Sequence, residues 1–154
     1  MAVNVMTPAD HELQQQATDE ALRKQSHYYY SMDPQAQVIG AAADRDEIAV
    51  EFGLLQNETG VVRYLDEGLV ATVADFWTSV VISATNGGRQ SVTTSLTVQL
   101  LKPLVSDTTQ AVHVVCRATN GPEIPGAMAS FVDPADPAIV YATAVHTKAW
   151  QRKC

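Results

Sequence analysis

The sequence predicts an α+β protein in which an antiparallel sheet packs on one long, mostly buried helix. Residues 68–85 are mainly apolar on all sides of a helix, and the stop signal Asn86-Gly87-Gly88 follows them. Segments of alternating apolar and polar residues lie on both sides of this stretch and are separated by turn residues, as in strands joined by hairpins. A length of 154 residues suits a single domain with a sizeable core.

The first predicted element is a helix from Pro8 to about Tyr30, which begins at Thr7-Pro8 and ends before Asp33-Pro34. Its residues are mostly polar, so we expect it to lie on the surface. We therefore divide the chain into an N-terminal helical extension, residues 1–36, and a main domain, residues 37–154. The run Tyr28-Tyr29-Tyr30 either anchors this helix on the core or covers a substrate groove.

The strands follow in two groups. A first pair forms a hairpin through the turn at residues 43–46, and a loop over residues 56–65 leads to the central helix. The other strands form a meander after that helix. The predicted strand ranges are 37–43, 47–55, 91–101, 109–119, 126–132 and 139–149.

Composition argues against several classes of protein. The net charge of −7, from 17 acidic and 10 basic residues, does not fit nucleic-acid binding. We find no apolar run near 18 residues and expect no membrane span. The polar, acidic N-terminus resembles no secretory signal, so we expect a cytoplasmic protein. The two cysteines and four histidines show no metal-ligand spacing, so we expect no metal and no cofactor.

The stretch from Gly68 to Asp75 carries the strongest functional signal. A glycine at a helix start can bring backbone N–H groups close to a carbonyl oxygen. A carboxylate inside a mostly apolar helix needs a reason, because charge is costly to remove from water. Together they predict a site that polarises and attacks a carbonyl group. The alternative is that Asp75 is a solvated helix residue or a structural hydrogen-bond acceptor.

Three segments resemble the hotdog-fold acyl-CoA thioesterases of the phenylacetate-pathway and thioesterase-superfamily-member-2 type. They are Gly68 to Asp75, the strand Ser91 to Val98 with Lys102-Pro103 after it, and Val145-His146-Thr147-Lys148. The resemblance covers about residues 38–150 and implies the hotdog fold, an antiparallel sheet wrapped around a long central helix. Family members carry His-Gly-Gly where this chain has Asp66-Glu67-Gly68.

The resemblance implies hydrolysis of an acyl-CoA or acyl-carrier thioester without a metal or cofactor. Asp75 would act as general base or nucleophile, and Thr93 would assist. The backbone N–H groups of Glu67 and Gly68 would form the oxyanion hole. Seven helical residues separate Gly68 from Asp75 by about 10 Å, so one carbonyl needs Gly68 and Asp75 from different subunits. We therefore expect a homodimer or a dimer of dimers.

Further residues are predicted to contact the substrate. Thr72, Asp75 and Ser79 share one helical stripe, which Thr93 or Ser95 from the next strand could continue. His146 and Lys148, with Arg89 and Lys102 as other candidates, could meet a CoA phosphate. Asp66 and Glu67 are either acids that stabilise the helix start or residues of the site, with Glu67 positioning water. The predicted substrate-binding residues are Asp66, Thr72, Ser79, Ser95, His146 and Lys148.

Two other functions stay open. The first is a non-catalytic hotdog protein that binds an acyl ligand or a protein partner. The second is a hydratase or dehydratase on the same fold, which usually needs an Asp/His pair on the central helix and the loop before it. No histidine lies between His27 and His113, which argues against that second option.

Overall fold

The computed structural model describes residues 5–28, 36–53, 65–103, 111–119 and 123–152. Several predicted features lie outside these ranges. They are residues 56–64 of the loop predicted over 56–65, the residues Tyr29 and Tyr30, and Cys154. Within these ranges there are two helices and six strands, with a 3₁₀ turn at Ala43–Arg45 between the first two strands. In chain order they are α1 Pro8–Tyr28, β1 Gln37–Ala42, β2 Glu47–Gly53, α2 Glu67–Ala84, β3 Ser91–Leu100, β4 Ala111–Ala118, β5 Gly126–Val132 and β6 Val140–Trp150.

The six strands form one antiparallel sheet in the order β1-β2-β4-β5-β6-β3. The chain leaves β2 through α2 and crosses to the far edge, where β3 pairs with β6. It then returns with β4 beside β2. This topology places β3 at an edge of the sheet and directly after the buried helix. The predicted α+β class and the antiparallel sheet around a central helix are confirmed.

The core lies between α2 and the sheet. α2 contacts β3, β4, β5 and β6, and twelve of its 18 residues are buried, including Phe76 and Trp77. By length and composition α2 is also long and apolar enough to cross a membrane, although the sequence was expected to hold no such run. However, 61% of this helix is buried inside the fold. Such burial is expected of the core helix of a globular domain, so α2 is only weak evidence for a membrane span.

The N-terminal helix is less separate from the core than its polar sequence suggested. α1 packs against β1 and α2, and its apolar residues Leu13, Ala17 and Ala21 are buried in the common core. These three residues lie four apart and therefore share one face of the helix. The remaining face is largely exposed. This packing brings the end of α1 close to the middle of α2.

Candidate active site

The start of α2 is built by Asp66, which is the N-cap residue. Its side chain accepts a hydrogen bond of 2.7 Å from the backbone N–H of Leu69. Asp66 therefore stabilises the helix start, which is one of the two roles predicted for it from the sequence. The first N–H groups of a helix have no partner within it. At this helix start Glu67 and Gly68 are exposed to solvent.

Asp75 lies two turns further along α2, where the helix crosses β3 and β6. Its side chain is 37% exposed, and Oδ1 lies 3.7 Å from Nε2 of His146. Asp75 and Thr93 also line one cavity of about 320 Å³. The two residues predicted to act directly on the reacting groups therefore lie side by side. Gly68 does not lie beside this cavity within the same chain, as the helical spacing predicted.

His146 is held between two threonines. Its Nδ1 lies 2.7 Å from Oγ1 of Thr78, and its Nε2 lies 2.8 Å from Oγ1 of Thr93. The Thr78 hydroxyl donates to the carbonyl of Ala74, so it must accept from an N–H at Nδ1. Nε2 then carries the lone pair and accepts from the Thr93 hydroxyl.

This histidine is neutral at pH 7. Burial and, to a smaller extent, the charge of Lys148 lower the pKa of His146 to about 4, while Asp75 acts in the opposite direction. Only 1% of His146 is exposed. His146 is enclosed by the protein, which favours a packing role over the predicted contact with a CoA phosphate. The alternation of β6 could have shown this, since Ala142, Ala144 and His146 all face inward.

Lys148 occupies the next inward position of β6 and is only 6% exposed. Its ammonium group donates a 2.7 Å hydrogen bond to Oγ of Ser79, whose hydroxyl also lies 2.7 Å from the backbone carbonyl of Asp75. Burial lowers the pKa of Lys148, the charge of Lys24 lowers it further, and Asp75 raises it. Lys148, which we predicted could meet a CoA phosphate, therefore lies buried beside Asp75.

Lys24 was missed by the sequence analysis. It reaches the site from α1, with its ammonium nitrogen 3.5 Å from Oε1 of Gln90, and burial is the main cause that lowers its pKa. The cavity beside Asp75 is lined by Lys24 together with Ser79, Gln90, Thr93 and Lys148. Because α1 had been assigned to a separate extension, nothing in the sequence connected Lys24 with Asp75.

Two predicted residues lie elsewhere. Thr72 is exposed and donates a 2.8 Å hydrogen bond to the carbonyl of Gly68, one turn back along α2. Ser95 is exposed on β3 and does not line the cavity. Among the described residues, no group of three or more His, Cys, Asp or Glu side chains could hold a metal ion.

A second, larger groove adjoins the cavity. It has a volume of about 890 Å³, and it shares Gln90 and Gln151 with the smaller one. Arg89 and Arg152 line it, and the guanidinium carbon of Arg89 lies 4.4 Å from the ring centroid of Trp150. This groove is therefore cationic and contains an aromatic side chain.

Neither a scan against models of protein families nor a search of curated protein sequences gives a match. Solved structures do match. Zebrafish thioesterase superfamily member 2 is 16% identical with a TM-score of 0.65, covering 90% of this chain and 96% of its own. The PaaI protein from the phenylacetic acid degradation operon of E. coli is 12% identical with a TM-score of 0.65, covering 91% and 96%.

A third structure is a Streptococcus mutans protein bound to acetyl CoA, 14% identical with a TM-score of 0.57, covering 82% of this chain and 98% of its own. At these identities the likeness shows the fold. The chain has the hotdog fold found in thioesterases, and the predicted resemblance is confirmed at that level.

Proposed function

We propose that this protein hydrolyses acyl thioesters, with acyl-CoA as the substrate. The observation that carries the proposal is Asp75, a partly exposed carboxylate on the central helix of a hotdog fold. It lies at a cavity beside the hydroxyl group of Thr93. Two structural neighbours support this assignment, one described as a thioesterase and one bound to acetyl CoA.

Asp75 acts in this proposal as a general base on water. Thr93 donates its proton to Nε2 of His146, so its oxygen has lone pairs available to accept from that water. One water proton then points to Asp75 and the other to Thr93. The water oxygen attacks the thioester carbonyl as Asp75 takes the first proton, and the C–S bond breaks as that proton passes to the thiolate. Direct attack by the Asp75 carboxylate is the alternative, through an anhydride that water later hydrolyses.

The oxyanion is stabilised in this proposal by a second subunit. Seven helical residues place the N–H of Gly68 about 10 Å from Asp75 along α2, too far for one carbonyl oxygen. A homodimer related by a two-fold axis brings Gly68 of the partner subunit to Asp75. Strand β3 suits such an interface, because it is a sheet edge that exposes Val92 and Leu100.

The larger groove suits the nucleotide end of CoA. Arg89 and Arg152 supply guanidinium groups, which bind phosphate oxygens well, and Trp150 offers an aromatic face. Gln90 and Gln151 connect this groove with the cavity beside Asp75. An acyl carrier protein would use only the pantetheine arm and would leave the groove unused, so the groove favours CoA.

A non-catalytic acyl-binding protein is the second candidate. It is favoured by Glu67, whose position at the exposed helix start adds a negative charge where an oxyanion would develop. Loss of the His-Gly pair at this position would then have removed the activity and left the binding groove.

The deciding experiment measures thiol release from a panel of acyl-CoAs, short to long and aromatic. Asp75→Asn is assayed in parallel, with Asp44→Asn as a matched control on an exposed turn residue. We expect turnover that falls about a hundredfold or more in Asp75→Asn, the usual contribution of a general base, and not in the control. Equal turnover in both variants would remove Asp75 from the mechanism. Binding of acyl-CoA without turnover by the wild type would favour the second candidate.

A further inference from the structure

We propose that the cavity beside Asp75 takes a short acyl group that ends in a carboxylate, so that the preferred substrates are CoA thioesters of short dicarboxylic acids. This inference rests on the proposed function. Its basis is the pair of lysines, Lys24 and Lys148, that line the cavity together with the carboxylate of Asp75.

The two ammonium groups have neutral hydrogen-bond partners within the part of the chain that the structure describes. Lys148 donates to the hydroxyl of Ser79, and Lys24 donates to the side-chain oxygen of Gln90. An ammonium group can donate three hydrogen bonds. Burying such a group is costly unless a charge of opposite sign compensates it. A second carboxylate in the cavity would supply that charge.

The charge balance points the same way. Among the described residues that line the cavity, Asp75 is the one acid beside two lysines, which leaves one positive charge in excess when all three are ionised. When Asp75 takes a proton from water, its negative charge passes to the oxyanion that forms at the attacked carbonyl, so the excess stays at one. An anionic group of the substrate would balance the site both before and during the proposed reaction.

The anion belongs to the acyl group because of its distance from the phosphates of CoA. The reacting carbonyl must lie against Asp75, which forms a wall of this cavity. The CoA phosphates are separated from the thioester by the whole pantetheine arm. The adjoining groove already offers Arg89 and Arg152 to them. Lys24 and Lys148 line the cavity that holds the carbonyl, so they are the cations available to an anion on the acyl group.

The size of the cavity limits the acyl chain. A volume of about 320 Å³ is at the small end of ligand cavities and equals the liquid volume of about ten water molecules. Phe76 and Val92 give it apolar walls that suit a few methylene groups. A long alkyl chain would need more space and would bring apolar carbon to two ammonium groups.

The first test compares glutaryl-CoA with 5-methylhexanoyl-CoA, in which an isopropyl group of the same shape replaces the carboxylate. We expect kcat/KM to be about tenfold or more higher for glutaryl-CoA, because charge-assisted hydrogen bonds are strong. Lys24→Met and Lys148→Met should abolish this preference. Arg117→Met, at an exposed cationic residue of β4 that does not line the cavity, should retain it. An equal or reversed preference in the wild type would refute the inference while the proposed hydrolase function stands.

The second test does not depend on hydrolysis. Calorimetric titration with free glutarate should show binding to the wild type and to Arg117→Met, and none to Lys24→Met. Hexanoate should bind more weakly than glutarate to the wild type. If no acyl-CoA is hydrolysed, the proposed function fails, and this titration still decides whether the cavity selects a carboxylate. Because Lys148 is buried, thermal unfolding checks that its variant folds, and Lys24→Met carries the test if it does not.

Discussion

The hydrogen bond between Thr78 and His146 lends itself to a quantitative stability test. Thr78 is fully buried, and its hydroxyl is the acceptor for the N–H at Nδ1 of His146. Thr78→Val keeps the shape of the side chain and replaces that hydroxyl by a methyl group. The imidazole donor then loses its acceptor in a place that solvent does not reach.

The expected cost follows from the burial. A buried donor without an acceptor costs about 1–3 kcal/mol, whereas removing both partners of a hydrogen bond can be nearly neutral. Thr78→Val should therefore lower the free energy of unfolding by about 2 kcal/mol. In a His146→Leu background no imidazole donor remains, and the same substitution should cost less than about 0.5 kcal/mol.

The assay is urea unfolding of the wild type, both single variants and the double variant, followed by circular dichroism. The difference between the two costs of Thr78→Val is the coupling energy between Thr78 and His146. An equal cost in both backgrounds would contradict the tautomer that we assign, with the proton on Nδ1 and the lone pair on Nε2.

Three further predictions concern stability. Because the His146 pKa falls from 6.5 to about 4 on folding, the unfolded chain binds a proton first as the pH falls. The free energy of unfolding should be unaffected by this residue above pH 6.5 and fall by about 3 kcal/mol towards pH 4, a loss absent in His146→Leu. Gly126→Ala would place Cβ 3.0 Å from Oγ1 of Thr119, so it should lower the free energy of unfolding in urea by about 1–3 kcal/mol. Gly40→Ala has open space around its Cβ and should not show this loss. Asp66→Ala should lose about 1 kcal/mol in the same assay by removing the N-cap, and Asp66→Asn should retain most of it.

The fold could be predicted because its signals are local in the sequence. Gly87 and Gly88 have φ angles of +64° and +81°, the left-handed region that favours glycine, and they end α2 as the stop signal indicated. Strand β5 has the predicted bounds, Gly126–Val132, and the other described elements differ from prediction by a few residues. These ends depend on residues next to them in the chain.

The part of the candidate site that could be predicted is the part built from elements that are adjacent in the chain. Asp75 comes from α2 and Thr93 from the strand that directly follows it, and the resemblance pointed to both residues, which line one cavity. Lys24 depends on how α1 packs across α2, which no local pattern reveals. Thr78 precedes Ser79 in the sequence but lies outside the helical stripe that Asp75 and Ser79 share. Its role becomes visible only in the structure, where its hydroxyl contacts His146.

The two groups that could act as the base in this site differ in access to water. Nε2 of His146 already accepts the proton of Thr93, and the residue is 1% exposed. Asp75 is 37% exposed at the mouth of the cavity, where a water molecule and a thioester can both reach it. A base must lie within hydrogen-bond reach of the proton that it removes. In the proposed mechanism Asp75 meets that condition, and His146 is a positioning residue that fixes the hydroxyl of Thr93 as an acceptor for the same water.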